Sequence, residues 1–153
     1  MTAISPFAPT SYPELKPIAG VRLATTSAGI RYKGRSDLLV VELAEGTSVA
    51  GVFTKSLTAS APVLAGRTAL KGGKARVLVV NSGNSNAFTG KSGVHAVEQV
   101  RLATCELFGC KEDAFYMAST GVIGEKLPYE KITDALPALK PMLNDTAWDE
   151  AAR

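Results

Sequence analysis

The sequence predicts a mixed α/β chain, and three observations favour that fold class. Residues 21–54 are rich in β-forming residues and hold two strand-like runs. The run "ARVLVV", residues 75–80, has the β-branched, apolar composition of a strand buried on both faces. Two amphipathic helical segments follow, over residues 92–108 and after Pro128, with the short strand "AFYMAS" between them. The pattern leaves the order of the strands in the sheet open.

The first twenty residues differ in character from the rest of the chain. Their prolines predict an extended arm over residues 1–20, and residues 21–153 then form the α/β part of a single domain. The start lacks a basic region followed by an apolar core, so a secretory signal is not expected.

The β-rich start predicts a hairpin. "DLLVVEL" (37–43) and "SVAGVFT" (48–54) are the strand-like runs, and "AEGT" between them contains Gly46, which suits a tight turn. Gly51 within the second run indicates a bulge or a close approach of the backbone to a neighbour.

Two helices are predicted in the first two thirds of the chain. Pro62 marks the N-terminus of the first helix, and its inward face is expected to comprise Val63, Leu64 and Leu70. Ser92 is the expected N-cap of the second helix. The buried stripe of the second helix is predicted to consist of Val97, Val100, Thr104 and Leu107, flanked by Ala96 and Ala103.

A third helix is predicted to open at Pro128. Its inward residues are expected to be Ile132, Ala135 and Leu136, and Pro137 is expected to end or kink it. The C-terminal "MLNDTAWDEAAR" is predicted to be helical at its end.

The composition excludes two classes of partner. The 153 residues carry a formal net charge of +3, and aromatic residues make up only 7% of the chain. Basic residues are scattered rather than arranged in a stripe with aromatics, so no nucleic-acid partner is expected. No apolar segment is long enough to span a bilayer, so no membrane association is expected either.

The two cysteines, Cys105 and Cys110, do not predict a disulfide or a zinc site. Their spacing on a helix would put them on different faces. We expect two reduced, partly buried thiols in a cytoplasmic protein, and no metal site.

Two predicted strands end in loops that are rich in glycine and hydroxyl groups. They are "VVNSGNSNAFTG", residues 79–90, and "ASTGVIG", residues 118–124, and both lead into helices. Unpaired N–H groups at such positions suit an anion, or the oxyanion of a transition state. The alternative is that the glycines only serve tight turns, and that Asn84 and Asn86 only close Asx-turns.

Other catalytic motifs are absent from the sequence. It contains neither the P-loop motif nor the glycine motif of dinucleotide-binding folds, so a nucleotide cofactor is not expected. His95 is the only histidine, and no Ser–His–Asp arrangement can be built around it. We expect His95 at the surface or near a helix end.

Three segments carry a resemblance to a known family. "AGVFTKSLTASAPVL", "VLVVNSGNSNAFTG" and "MASTGVIGEKLP" occur in the order and spacing of that family. The chain resembles the N-terminal α half of ornithine acetyltransferase, the bifunctional arginine-biosynthesis enzyme also called glutamate N-acetyltransferase. The resemblance runs from "IAGVRLATTSAGI" to "TAWDEAAR", which is most of the chain. It implies a layered αββα fold of the N-terminal-nucleophile-like (DmpA/ArgJ-like) kind.

The resemblance also implies an activity. In this family a precursor cleaves itself just before a threonine, and the new N-terminal threonine of the β chain becomes the nucleophile. That threonine takes the acetyl group from N-acetylornithine and passes it to glutamate, and this cycle needs no cofactor. Some family members additionally use acetyl-CoA, so the resemblance leaves amino-acid N-acetyltransferase activity open as well. The implied partner is the β chain from the same precursor, in a cytoplasmic α2β2 heterotetramer.

The resemblance assigns the oxyanion hole to Thr120 and Gly121. The Thr120 hydroxyl and the Gly121 backbone N–H would donate to the tetrahedral oxyanion. Ser119 is expected to serve as a turn or supporting residue. The loop that holds Asn81 and Asn86 is expected to pack beside Thr120 as scaffold, with both asparagines holding neighbouring backbone groups.

The sequence departs from the family pattern at its end. It stops at Arg153, before the substrate-binding threonine and lysine of the family and before its cleavage site. We therefore expect the oxyanion hole in this chain, the nucleophile elsewhere, and no activity from this chain alone. The alternative function is a free-standing anion- or metabolite-binding α/β module that uses the same two loops.

Overall fold

The structure, a computed structural model, describes residues 6–7, 11 and 13–152. The predicted arm over residues 1–20 therefore lies largely outside the described residues. The α/β class is confirmed by four strands, which are β1 (Val21–Thr26), β2 (Leu38–Leu43), β3 (Val77–Asn81) and β4 (Phe115–Ser119). The helices of the described residues are α1 (Ala61–Ala69), α2 (Gly90–Phe108), α3 (Tyr129–Leu139) and α4 (Trp148–Ala152).

The four strands form one sheet in the order β1-β2-β3-β4. β2 pairs antiparallel with both β1 and β3, whereas β3 and β4 are parallel and are joined through α2. The register aligns one row of residues across the sheet, namely Thr26, Leu38, Asn81 and Ser119. Because this row holds the end of β1, β3 and β4 and the start of β2, three loops leave the same edge: 27–37, 82–89 and 120–128.

The hydrophobic core lies between one face of the sheet and helices α1, α2 and α3. Its fully buried members include Val40, Val79, Val100, Ile132 and Leu136. The chain thus contributes one helical layer and one sheet layer to the predicted αββα arrangement.

The opposite face of the sheet, called here the outer face, is only half-buried. Its residues are Leu39, Val41, Leu78, Val80 and Tyr116. Helix α4 reaches one end of this face, beside Leu39 and Val80. The prediction that "ARVLVV" is buried on both faces is therefore wrong for the described residues, since the helices that bury Val77 and Val79 lie on one side of the sheet.

The predicted hairpin between residues 37–43 and 48–54 is also wrong. β2 forms, but β1 and β3 occupy both of its edges, so no edge is left for residues 48–54. Ser48 instead forms an isolated bridge with Lys74, and Val52 is 98% exposed. The run 48–54 therefore lacks the buried face that a strand needs.

Helix α1 begins as predicted, with Pro62 in its first turn, but its buried face differs from the prediction. Small residues face the core, whereas Leu64 is 46% exposed. The reason is close packing. A side-chain carbon on Gly66 would lie 2.9 Å from the ring of Phe53, so the small residues let α1 approach its neighbours. The buried residues of α1 are Ala61, Pro62, Gly66 and Ala69.

Helix α2 buries Ala96, Val97, Val100 and Thr104 as predicted, while Ala103 and Leu107 are partly buried. It begins at Gly90, so Ser92 lies inside the helix rather than at the N-cap. The Ser92 hydroxyl donates to the Thr89 carbonyl oxygen at 2.7 Å. A side chain that bonds within the first turn resembles a cap in the sequence, which accounts for this error.

Helix α3 begins directly after Pro128 and buries Ile132 and Leu136, with Ala135 partly buried, as predicted. Pro137 does not end it, because the helix continues to Leu139. The predicted helical end of the chain is confirmed by α4.

The two cysteines are free and lie side by side, which corrects the prediction that they occupy different faces. Gly109 ends α2 in a left-handed conformation with φ +64°, and the chain turns back there. The Cys110 N–H then donates to the Cys105 carbonyl oxygen at 3.1 Å. Burial, and next the neighbouring Cys110 thiol, raise the pKa of Cys105 to about 12.

Candidate active site

Asn81 joins the two polar loops at the sheet edge. Its side chain is fully buried and accepts a hydrogen bond from the Ser119 hydroxyl at 2.6 Å. The Asn81 amide nitrogen donates to the Asn84 carbonyl oxygen at 2.8 Å. The Asn81 carbonyl oxygen accepts from the Thr120 N–H at 3.0 Å. The loop therefore packs beside Thr120 as predicted, and Ser119, the last residue of β4, is bonded to it through Asn81.

The loops 82–89 and 120–128 run side by side beyond the strands. The Val122 N–H donates to the Gly83 carbonyl oxygen at 3.2 Å, and the Ser85 N–H donates to the Val122 carbonyl oxygen at 3.0 Å. The Ser85 hydroxyl reaches the same carbonyl at 2.8 Å. These bonds extend the parallel pairing of β3 and β4 into the loops.

Asn84 holds backbone groups of both loops, and Asn86 ties its loop to helix α2. Asn84 accepts the Asn86 N–H at 2.8 Å, which is an Asx-turn, and its amide nitrogen donates to the Glu125 carbonyl oxygen at 3.1 Å. Asn86 is fully buried, has φ +47°, and donates from its side chain to the Gly93 carbonyl oxygen at 3.0 Å. Asparagine tolerates this left-handed backbone better than most residues. The predicted role of Asn86 is therefore confirmed.

Gly121 fills a position that no other residue can take without a shift of the backbone. Its φ is +132°, and a side-chain carbon there would lie 2.3 Å from the Gly83 carbonyl carbon and 2.5 Å from the Asn84 nitrogen. Both Thr120 and Gly121 are exposed. Within the described residues, neither the Thr120 hydroxyl nor the Gly121 N–H makes a hydrogen bond. The site thus presents donors from two consecutive, exposed residues on a tightly packed backbone.

The remaining candidates of the sequence lie elsewhere or form no cluster. His95 is exposed on α2, and its ring meets that of Tyr129 edge-on with centroids 5.6 Å apart, so its predicted surface position is confirmed. Across the described part of the chain, no group of three or more His, Cys, Asp and Glu side chains is placed to hold a metal ion. No helix in that part is long and apolar enough to cross a membrane.

Sequence reasoning missed the third loop at this edge, residues 27–37. Buried Asp37 orders it, because its carboxylate oxygens accept the Ala28 N–H at 2.7 Å and the Ile30 N–H at 2.6 Å. Arg31 then pairs with Glu125 across the site, with Nη1 and Oε2 2.5 Å apart. An acidic residue just before an apolar strand was the available local signal for the first of these contacts. No local signal exists for a pair so far apart in sequence.

The fold and the site define a mixed α/β chain in which Thr120 and Gly121 each offer a donor, unpaired within the described residues, at one edge of the sheet. The chain belongs to the ArgJ family, whose profile matches residues 22–153. It is 54% identical over 156 aligned positions to the arginine biosynthesis bifunctional protein ArgJ of Nitrobacter winogradskyi, with 99% of this chain and 37% of that protein covered. The protein of that name from Gluconobacter oxydans is 49% identical, with 98% of this chain and 35% of that protein covered. The chain therefore spans about a third of the length of these curated relatives.

Two solved structures are similar as well. Ornithine acetyltransferase of Mycobacterium tuberculosis, crystallised in complex with ornithine, matches with a TM-score of 0.82 and 31% identity over 89% of this chain and 74% of that chain. The ArgJ protein of Bacillus halodurans matches with a TM-score of 0.75 and 32% identity over 80% of this chain and 64% of that chain.

Proposed function

We propose that this chain is the α portion of an acetyltransferase of arginine biosynthesis. It acts together with the region that makes up the other two thirds of its relatives, and this combination is called here the assembled protein. The acetyl group moves from N-acetylornithine to glutamate. Family membership and the ornithine bound in the similar Mycobacterium structure support this proposal.

The reaction runs through an acyl-threonine. A precursor cleaves itself before a threonine, and the hydroxyl of this new N-terminal residue attacks the acetyl carbonyl while its own amine takes the proton. The amide bond breaks, the proton passes to the nitrogen, and ornithine leaves. The amine of glutamate then attacks the acyl-threonine, and N-acetylglutamate leaves as the threonine hydroxyl is restored. No cofactor is required, because the donor amide supplies the acetyl group.

The contribution of this chain is the oxyanion hole. Both attacks create a negative oxygen, and the Thr120 hydroxyl and the Gly121 N–H donate to it. The observation that carries this assignment is that both residues are exposed and that neither donor has a hydrogen-bond partner among the described residues. Donors that are held in place before the reaction stabilise a transition state without reorganisation. The buried Asn81 network supplies that rigidity.

The resemblance to the family also indicates how the assembled protein is built. The second chain is the β chain of the precursor, and the complex is a cytoplasmic α2β2 heterotetramer. The half-buried outer face supports the need for a second layer, because apolar strands in layered folds are covered on both sides.

The test is to trap the acyl intermediate. The assembled protein is incubated with N-acetylornithine without glutamate, and each polypeptide is weighed and sequenced from its N-terminus. We expect the polypeptide that contains this chain to be unmodified, a second chain that begins with threonine to carry one acetyl group, and that group to be released as N-acetylglutamate when glutamate is added. A single folded chain that binds small anions without acetyl transfer would favour the free-standing binding module instead.

A further inference from the structure

Arg31 lies next to the proposed oxyanion site. Gly83 lies between Arg31 and Gly121. A side-chain carbon on Gly83 would lie 2.9 Å from the Arg31 Cβ, and a side-chain carbon on Gly121 would lie 2.3 Å from the Gly83 carbonyl carbon. The Arg31 guanidinium also reaches the loop that follows Gly121, where it pairs with Glu125 at 2.5 Å. Arg31 is thus packed against the backbone of one site loop and ion-paired to the other.

The Arg31 guanidinium is available to a ligand. Its side chain is 37% exposed and that of Glu125 is 54% exposed. Exposed ion pairs contribute little to stability, so a change of partner costs little. The pair uses one guanidinium nitrogen, which leaves further donors for a second carboxylate.

Two of the neighbouring cations are engaged in other contacts. The Arg35 guanidinium lies over the Tyr32 ring, 4.0 Å from its centroid. The Lys131 ammonium donates to the Gly29 carbonyl oxygen. Arg31 combines an exposed ion pair with direct packing against the site backbone, and its guanidinium also lies 5.9 Å from the centroid of the Tyr32 ring.

The chemistry of the proposed substrates favours a carboxylate-binding group near the oxyanion hole. In N-acetylornithine the reacting amide nitrogen and the α-carboxylate are bonded to the same carbon, and in glutamate the same holds for the reacting amine. A group that binds this carboxylate must therefore lie close to the oxyanion hole. Arginine suits the task, since its planar guanidinium binds a carboxylate through two parallel hydrogen bonds.

We infer that Arg31 binds the α-carboxylate of the amino-acid donor and acceptor, and that Glu125 orients the guanidinium while the site is empty. This inference rests on the proposed acetyl transfer and adds a specificity residue to it. It explains how the α portion, and not only the nucleophile-bearing portion, would select amino-acid substrates.

The test compares substrates with and without the carboxylate in the assembled protein. For Arg31→Ala we expect KM for N-acetylornithine and glutamate to rise by about tenfold to a hundredfold, with a smaller change in kcat. For N-acetylputrescine, which lacks only the carboxylate, KM and kcat should be the same in the wild-type protein and in Arg31→Ala. Arg31→Lys should retain part of the affinity. Arg35→Ala also removes a positive charge from this loop, and it should leave KM for N-acetylornithine and for N-acetylputrescine unchanged.

Binding of ornithine and putrescine, measured by calorimetry, gives a readout that is independent of turnover. Wild-type protein should prefer ornithine, and Arg31→Ala should bind the two equally. If Arg31→Ala lost equal affinity for ornithine and for putrescine, or lost none for either, the assignment would be overturned. An inactive wild-type protein would instead refute the proposed transfer, while a loss of ornithine preference in Arg31→Ala would still support Arg31 as the carboxylate site.

Discussion

Gly121 touches Gly83 backbone to backbone, so closely that a side-chain carbon on Gly121 would lie 2.3 Å from the Gly83 carbonyl carbon. The two glycines belong to loops that follow the parallel neighbours β3 and β4. Their contact fixes the Gly121 N–H relative to the rest of the edge. The oxyanion site proposed here therefore depends on the absence of a side chain at this position as well as on the donors themselves.

Gly121→Ala should destabilise the assembled protein and abolish its activity. The new Cβ would collide with backbone atoms, which cannot rotate away as a side chain could. We expect a loss of more than ~3 kcal/mol of unfolding free energy, from the strained φ and the overpacking together. Chemical denaturation monitored by circular dichroism measures the change.

Gly46→Ala is the matched control for this substitution. Gly46 has φ +81° with nothing within 4 Å of a Cβ, so only the backbone strain of about 1–2 kcal/mol is expected. If Gly121→Ala were no more destabilising than Gly46→Ala, the contact with Gly83 would not be rigid.

This chain expressed alone should not behave as a stable monomer. Its outer face presents Leu39, Val41, Leu78 and Val80 only half-buried, and the Tyr116 hydroxyl, which is buried, has no hydrogen-bond partner among the described residues. Such a face favours association or loose packing. We expect strong binding of a hydrophobic dye and aggregation on heating, both suppressed by coexpression with the second portion. A cooperative thermal transition of an isolated monomer would contradict this prediction.

Cys105 should react slowly with alkylating reagents in the folded protein. Burial and the adjacent Cys110 thiol raise its pKa to about 12, so little thiolate, the reactive form, is present at pH 8. We expect iodoacetamide to modify Cys105 at least ~10-fold more slowly in native protein than in urea. The native rate should keep rising with pH through 9 and 10, because the raised pKa moves deprotonation upward. Peptide mass spectrometry at several pH values measures both rates, and a plateau near pH 9 would be inconsistent with the raised pKa.

The pattern of apolar residues along the sequence predicted those elements whose structure depends on their own segment. The strand β3, the stripe of α2 and the inward residues of α3 were predicted correctly, because each depends on the pattern of its own segment. The burial of β3 on both faces was not, because it depends on which elements cover the sheet. The hairpin after β2 was wrong because the partners of β2 are distant in sequence, and β1 and β3 take both edges. The inward face of α1 was wrong because close packing against Phe53 selected small residues over leucines.

The candidate site shows the same division. The glycine- and hydroxyl-rich loops indicated the position of a polar site. The resemblance to a family then assigned the oxyanion donors to Thr120 and Gly121. Arg31 could not be found in this way, because its relation to the site arises only when the loop after β1 folds onto Gly83. The register of the sheet places the loops 27–37, 82–89 and 120–128 at one edge, and this brings Arg31 close to Gly83 and Glu125.

The assignment of Thr120 is tested through the rate of acetyl transfer. In the fully processed assembled protein, Thr120→Ala removes one donor while the Gly121 N–H and the nucleophile stay in place. Thr120→Ser keeps the hydroxyl and is the matched control, with much of the rate expected to remain. Because the proposed self-cleavage would also pass through an oxyanion, processing must be measured separately by the masses of the two chains.

The most direct measurement is kcat of processed Thr120→Ala for transfer from N-acetylornithine to glutamate. Loss of one oxyanion donor typically reduces kcat on the order of a hundredfold, and the donor acts mainly in the transition state. We therefore expect a hundredfold lower kcat with little change in KM. Turnover of processed Thr120→Ala at the wild-type rate would contradict the proposed oxyanion hole and leave Thr120 as a turn residue.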